Sequence, residues 1–288
     1  MAVVNTNVSA SLAQSALVRN ERALGSAMEQ LSTGSKINSA SDDSAGLGMA
    51  AKFTSQINGL DMAVKNASDG ISMISTAEGA LDEVTTMLQR MRELAVQSSN
   101  GTMTSDDRSY MDKEYQALNS EIDRIEQNTT WNGVKILSGN AGQGATGSET
   151  STVNFQVSAN YTAGAGGAAS NDIIAVDFGT LTTATTAALS DVTSQANAQG
   201  AIDKVDTAIK GVNNQRAAFG AASNRLTHSV DNLSNVRVNA EASRSRIEDT
   251  DYAQTTSELA KAQIIAQAGT AMLAQANQSS QSVLSLLR

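Results

Sequence analysis

The chain has 288 residues, enough for one large domain or two modest ones. Hydrophobic residues make up 40% of it and aromatics only 3%, a composition that suits thin helical seams better than one thick globular core. The 29 acidic and 20 basic side chains leave a net charge of −9, which argues against a polyanion binder, so no nucleic-acid partner is expected.

Met1 to Asn7 carries neither a basic n-region nor a continuous apolar h-region, so no secretory signal peptide is expected. Residues 1–33 read as a helix, with Val4, Val8 and Leu12 four apart and then Leu17, Leu24 and Leu31 seven apart. Gly34-Ser35 interrupts it. The cluster from Asn38 to Asp43 is a helix start, with capping side chains followed by acids at the positive end of the dipole. A second helix should run from there to about Ser99. Its seam Ile57, Leu60, Val64, Ala67, Ile71 and Ile74 has coiled-coil spacing. The phase slips near Glu78-Gly79, then resumes as Leu81, Val84, Leu88, Met91 and Ala95 until Asn100-Gly101 ends it. Thr104-Ser105-Asp106-Asp107 caps a third helix with the seam Met111, Tyr115, Leu118, Ile122 and Ile125.

Trp131-Asn132-Gly133-Val134-Lys135-Ile136-Leu137 reads as a turn plus a short strand, since Asn-Gly is a strong hairpin signal. Residues 139–190 are rich in Gly, Ala, Thr and Ser. Val153–Val157 and Ile173–Phe178 alternate like strands, so this stretch is a small β insert or a mobile surface loop. From about residue 192 the helical pattern returns. Val205, Val212, Phe219, Leu226, Leu233, Ala240 and Ile247 are seven apart, Ile202, Ile209 and Val230 fill d-type positions, and Arg216, Ser223, Arg237 and Arg244 interrupt the d row. Residues 202–247 would span roughly 70 Å as a helix. A stripe that long needs the N-terminal helices as partners, which brings the chain ends together. The absence of Pro fits long uninterrupted helices, since Pro costs roughly 3 kcal/mol inside one. From Glu248 to Arg288 a weaker helix carries Leu259, Ile265, Met272, Ala276, Val283 and Leu287. Both extreme ends are expected to be poorly ordered in the free subunit and to become helical on assembly.

The fold class is therefore mainly α: a long antiparallel helical bundle or coiled coil formed by both chain ends, with a small β-hairpin and a short β/loop central insert. Its expected parts are terminal helices at 1–40 and 248–288, a helical rod at 41–139 and 191–247, and a surface-exposed insert at 140–190. No catalytic, cofactor or metal residue is expected. Cys is absent and His228 is the single histidine, which removes thiolate chemistry, His-based zinc sites and the HExxH motif. His228 lies two residues past a seam position, as an exposed helical side chain. Gly164-Ala165-Gly166-Gly167 has no helix start or following Lys, so it is no phosphate loop. Asp42-Asp43 and Asp106-Asp107 read as caps. No segment approaches the ~20 apolar residues of a membrane span, so no membrane contact is expected. The apolar stripes at both ends exceed what one chain can bury, which points to self-assembly.

Four stretches resemble bacterial flagellin, the filament subunit of the flagellum. They are Leu31 to Leu47, Gln89 to Gln97, Trp131 to Leu137, and the C-terminal pair Ser245 to Ala253 and Val283 to Arg288. The resemblance covers roughly residues 1–140 and 195–288. It implies a homo-oligomeric, extracellular filament with the terminal helices innermost, the rod next and the insert projecting outward. It also implies export of unfolded subunits through the flagellar type III apparatus. The implied partners are an export chaperone on the C-terminal helix, a filament cap and a hook–filament junction protein. Toll-like receptor 5 would read Arg90, Leu94 and Glu114, and inflammasome sensors would read Val283, Leu284, Leu286 and Leu287. The assembly seam would comprise the apolar rows named above, with Met272, Val283 and Leu287 at the C-terminal end. Two positions depart from the family: Gly48 stands where Ala is usual, and Ser279-Ser280 where many members carry Val-Pro. The rival readings are a junction-type relative, a coiled-coil adaptor and an enzyme-bearing variant, the last opposed by the single His and the short insert.

Overall fold

The computed structural model describes residues 7–139, 141–143, 149–160, 172–179 and 191–285. In chain order they form α1 (Val8–Thr33), α2 (Ser44–Ser98), α3 (Ser105–Asn128), β1 (Thr130–Trp131), β2 (Val134–Lys135), β3 (Gly142–Gln143), β4 (Glu149–Thr150), β5 (Thr152–Gln156), β6 (Ile173–Asp177), α4 (Gln195–Glu248) and α5 (Tyr252–Ser285). The chain divides into two compact units, Met1–Gln56 with Asn239–Arg288, and Ile57–Val238.

The helix boundaries follow from side-chain chemistry. Asn7 caps α1 by accepting from the Ala10 amide, and Gly34 closes it in the left-handed conformation that glycine adopts without a Cβ penalty. Asp43 accepts the Ala45 and Gly46 amides at the start of α2, while Asp42 accepts the Asn38 and Ser39 amides. Thr104 and Asp107 form a reciprocal capping box on α3. α2 runs without a break through Glu78-Gly79, so the slip in its seam is a change of face.

In the larger unit α2 and α4 are antiparallel. Asp61 pairs with Arg237 at 2.8 Å, Asp82 with Arg216 at 3.2 Å and Arg92 with Asp206 at 2.6 Å, so position rises on one helix as it falls on the other. Two of the arginines that break the apolar row of α4 thus hold it to α2 at half-exposed positions. Val205, Val212, Phe219 and Leu226 are buried, as the seven-residue spacing predicts. The alternate row differs from expectation. Ala201, Ala208 and Ala222 are buried, whereas Ile202, Ile209 and Val230 are only partly buried at the flanks of the core. Small side chains at the seam centre permit a shorter interaxial distance, and the larger ones cover its edges.

The β1–β2 hairpin turns at Asn132 and Gly133, with φ of 49° and 80°. Positive φ at both central residues is what a type I′ turn demands, and Asn-Gly supplies it. β5 and β6 pair antiparallel from Thr152↔Asp177 to Gln156↔Ile173. Within the expected insert, this hairpin lies against the helices. Val157, Ile174, Val176 and Phe178 belong to the same core as α2, α3 and α4, and the Phe178 ring stands 5.1 Å from Phe219. Glycines admit it: a Cβ on Gly59 would lie 2.9 Å from the Ala159 Cβ, and one on Gly70 would lie 3.1 Å from the Phe155 ring. β3 and β4 pair antiparallel, Gly142↔Thr150 and Gln143↔Glu149, and residues 140, 144–148, 161–171 and 180–190 lie outside the described residues.

In the smaller unit α1 and α5 pack antiparallel, with Asn7 Nδ2 donating to the Ala276 carbonyl at 3.1 Å and the buried Asn20 donating to the Ala262 carbonyl at 2.7 Å. α1 and α5 stand as a formed pair, and the outermost residues, 1–6 and 286–288, lie outside the described residues. Each helix offers the other a shallow apolar face plus polar pins of register.

Two outcomes follow from these contacts. Nothing lies within 4 Å of a Cβ on Gly79, so Gly79→Ala should raise stability by up to about 1 kcal/mol, while Gly59→Ala should lose that gain to the clash with Ala159; chemical denaturation of the two variants measures both. The Thr104 hydroxyl, and then its amide, hold the Asp107 carboxyl below its ordinary value of 3.8. A pKa lowered on folding stabilises above the unfolded value and ceases to do so as pH falls through the folded one. Asp107→Asn should therefore lower the thermal midpoint at neutral pH, and the gap from the parent should vanish in strong acid.

Candidate assembly site

α1 and α5 turn only part of their apolar surface toward each other. Leu17, Leu24 and Leu31 sit half-buried on the inner face of α1 with the buried Ala27. On α5 the inner face is Thr255, Leu259, Ala262, Ala266, Gly269, Leu273 and Ala276. A Cβ on Gly269 would meet Leu17 Cδ1 at 2.7 Å, so the helices touch closely there. Ile265 and Met272 were expected in the stripe of this helix but face outward, Met272 being 67% exposed. They sit one step around the helix because the small residues Ala262, Ala266 and Gly269 pack better against a close neighbour than long side chains do. Val8, Leu12 and Ile264 are also largely exposed. Leu12, Leu17, Ile265 and Met272 line an apolar groove of about 390 Å³ along this pair.

A helix pair this thin leaves a contiguous apolar surface in water, which marks an interaction site. The seam residues of the larger unit are different. Ile57, Leu60, Val205, Val212, Phe219, Leu226 and Leu233 are buried and Val64 and Ile71 are half-buried within the chain itself, so as contacts for another subunit they offer little. Val283 and Leu284 lie on the last turn of α5; their side chains, and the whole of Leu286 and Leu287, lie outside the described residues.

The expected receptor residues fall on α2 and α3. Arg90 Nε donates to Glu114 Oε1 at 2.8 Å and Nη1 donates to Glu93 at 3.0 Å, all three being half-exposed or more. The Glu114 and Glu93 carboxylates hold the Arg90 guanidinium above its usual value. Beside them Gln89, Arg92, Glu93, Val96 and Gln97 line a shallow groove of about 520 Å³. Leu94 does not join this surface. It is 2% exposed and belongs to the core between α2 and its neighbours, so its side chain cannot meet a receptor in this conformation. His228 is exposed on α4, as expected. Among the described residues no cluster of His, Cys, Asp or Glu could hold a metal, and no helix is long and apolar enough to cross a membrane.

Residues 4–142 match the bacterial flagellin N-terminal helical region, and residues 202–287 match the bacterial flagellin C-terminal helical region. The chain belongs to the bacterial flagellin family. It is 44% identical over 286 residues to a flagellin of Halalkalibacterium halodurans, covering 99% of this chain and 100% of that one. It is 40% identical over 295 residues to the flagellar filament 33 kDa core protein of Treponema phagedenis, covering 99% and 100%. The crystal structure of Bacillus cereus flagellin superposes with a TM-score of 0.50 at 34% identity, over 59% of this chain and 88% of that one. The two matched regions coincide with the two halves of the helical pattern, and residues 143–201 lie between them.

Reading the sequence missed Asn20, whose amide pins α1 to the backbone of α5, because a single Asn in an apolar stripe resembles an interruption. It also missed Arg108, which is 8% exposed and donates to the carbonyls of Ser98, Asn100 and Met103 at the end of α2. Arg108 lies in the first turn of α3, ten residues past the end of α2, so no local spacing pointed to those carbonyls.

The two candidate recognition residues should separate in stability. Leu94→Ala should cost about 2–5 kcal/mol as a core truncation, and Arg90→Ala no more than ~1 kcal/mol as a surface ion-pair loss. Equal urea midpoints for the two variants would contradict the placement of Leu94.

Proposed function

We propose that this chain is a structural subunit without catalytic activity that polymerises with copies of itself into the extracellular flagellar filament, the propeller of swimming motility. The observation that carries the reading is the apolar surface left over on the α1–α5 pair, in a chain whose larger unit already buries its own seams. Copies packing along their terminal pairs would cover that surface, with residues 1–40 and 248–288 innermost, 41–139 and 191–247 around them, and 140–190 toward the outside. Family membership supports the filament, and the exposed Leu12, Ile265 and Met272 supply its adhesive element.

Delivery by the flagellar type III apparatus suits such a subunit. A chain that carries uncovered apolar ends must be kept unfolded or masked before it reaches the filament. An export chaperone at Val283, Leu284, Leu286 and Leu287 would provide the mask. A cap would fold arriving subunits, and a junction protein would seat the first of them on the hook. As a ligand of Toll-like receptor 5, the chain would present Arg90 and Glu114, whose ion pair fixes a charged feature on rigid helices. Inflammasome sensors would read the same C-terminal leucines as the chaperone.

Purified subunit seeded with sheared filaments of the same protein should elongate, as seen by electron microscopy. Met272→Asp should suppress elongation and leave the circular dichroism of the free subunit unchanged, because the side chain is exposed before assembly. Normal elongation of that variant would remove the α1–α5 surface from the assembly contact, and a parent chain that never elongates would overturn the filament reading.

A further inference from the structure

Three Asn-Gly pairs occur in the described chain, at Asn58-Gly59, Asn100-Gly101 and Asn132-Gly133. Glycine after asparagine exposes the backbone to an internal reaction, because no Cβ shields the following amide nitrogen. The three pairs stand in different surroundings. Asn58-Gly59 lies inside α2, where helical hydrogen bonding engages the Gly59 amide and packing against Ala159 crowds the position. Asn132-Gly133 is the tight turn of β1–β2, locked on both sides by paired strand residues. Asn100-Gly101 lies just past the end of α2, and both residues are exposed.

The side chain of Asn100 is folded forward over its own backbone. Its Oδ1 accepts the Thr102 amide at 3.2 Å, an Asx turn. The ring closed by that bond contains both Asn100 Cγ and the Gly101 nitrogen, and the donated hydrogen bond draws electrons from Cγ. The backbone carbonyl of Asn100 is held as well. Arg108 Nη2 donates to Asn100 O at 3.0 Å while Nη1 holds Ser98 O at 2.5 Å. A guanidinium on a carbonyl oxygen makes the carbonyl carbon more electrophilic and stabilises negative charge that develops on the oxygen.

We propose that Asn100 is a site of spontaneous covalent modification, converting through a cyclic imide mainly to isoaspartate under the direction of Arg108. In the first step the Gly101 nitrogen bonds to Asn100 Cγ. The Cγ–Nδ2 bond breaks, and Nδ2 leaves as ammonia carrying the former Gly101 amide proton. In the second step water adds to one of the two imide carbonyls and the bond from that carbon to the Gly101 nitrogen breaks, returning a proton to the nitrogen. Opening at Cγ gives aspartate. Opening at the main-chain carbonyl gives isoaspartate, in which the chain runs through Cγ and the former main-chain carbonyl becomes a carboxylate. That carbonyl is the one Arg108 holds, so the guanidinium favours attack there and ends in an ion pair with the new carboxylate.

The three sites separate on trypsin digestion, into Phe53–Lys65, Glu93–Arg108 and Ile125–Lys135. The full chain is incubated folded in mildly alkaline buffer and, in parallel, unfolded in guanidinium chloride. Mass spectrometry reads amide-to-acid conversion in each peptide, and enzymatic methyl transfer to isoaspartyl carboxylates reads the product. In the folded chain Glu93–Arg108 should convert several-fold faster than the other two peptides, and its isoaspartyl share should exceed that of the unfolded chain. Gly101→Ala, whose added Cβ meets open space, should slow the conversion in a folded protein. Conversion at Asn100 no faster than at Asn58 or Asn132 would overturn the assignment of the site. An isoaspartyl share no greater than in the unfolded chain would overturn the role of Arg108.

Discussion

The antiparallel contact of α2 with α4 governs the larger unit. Each helix is more than fifty residues long and presents an apolar stripe that water would otherwise cover. Neither stripe can be buried by its own helix, and their union creates the core into which α3 and the β5–β6 hairpin then pack. The apolar row sets how strongly the two helices adhere, but a row of similar aliphatic side chains sets register only weakly. Charged pairs with Asp61, Asp82 and Arg92 on α2 mark three separate points along the seam. A slip by one turn would cost all of them at once.

The smaller unit solves register differently, because it has little core. Its pins are polar side chains of α1 on backbone carbonyls of α5, one of them buried. Such bonds are individually modest in free energy but costly to leave unmade in a dry interface. The pairing is thus specific in alignment while weak in adhesion. That combination leaves the outer apolar faces of both helices free for a partner without making the pair slide.

Much of this architecture was legible from residue spacing. Thr104 with Asp107, Asn132-Gly133 and the seven-residue row from Val205 to Leu226 each announce their structure by local rules that tertiary context did not override. The misreadings share one cause. Periodicity weighted by hydrophobic size favours Ile202 and Ile209 over Ala201 and Ala208, and Ile265 and Met272 over Ala262 and Gly269. Close helix contact selects for small side chains, so size points to the edge of the seam. Leu94 was misplaced for a related reason: a motif read as a linear string places every member on one surface, while a helix turns successive residues away from each other. The β5–β6 hairpin was visible as alternating residues, but its docking depends on glycines in α2 that carry no pattern of their own.

The bond from Asn20 to Ala262 joins residues 242 apart in sequence. Closing so long a loop costs chain entropy that a shallow pair of helices repays poorly. The polar pins of register therefore matter more in this pair than in one with a deep core. With no proline in the chain, no prolyl isomerisation of tens of seconds delays that closure. The pairing of the terminal helices is therefore free of that slow step.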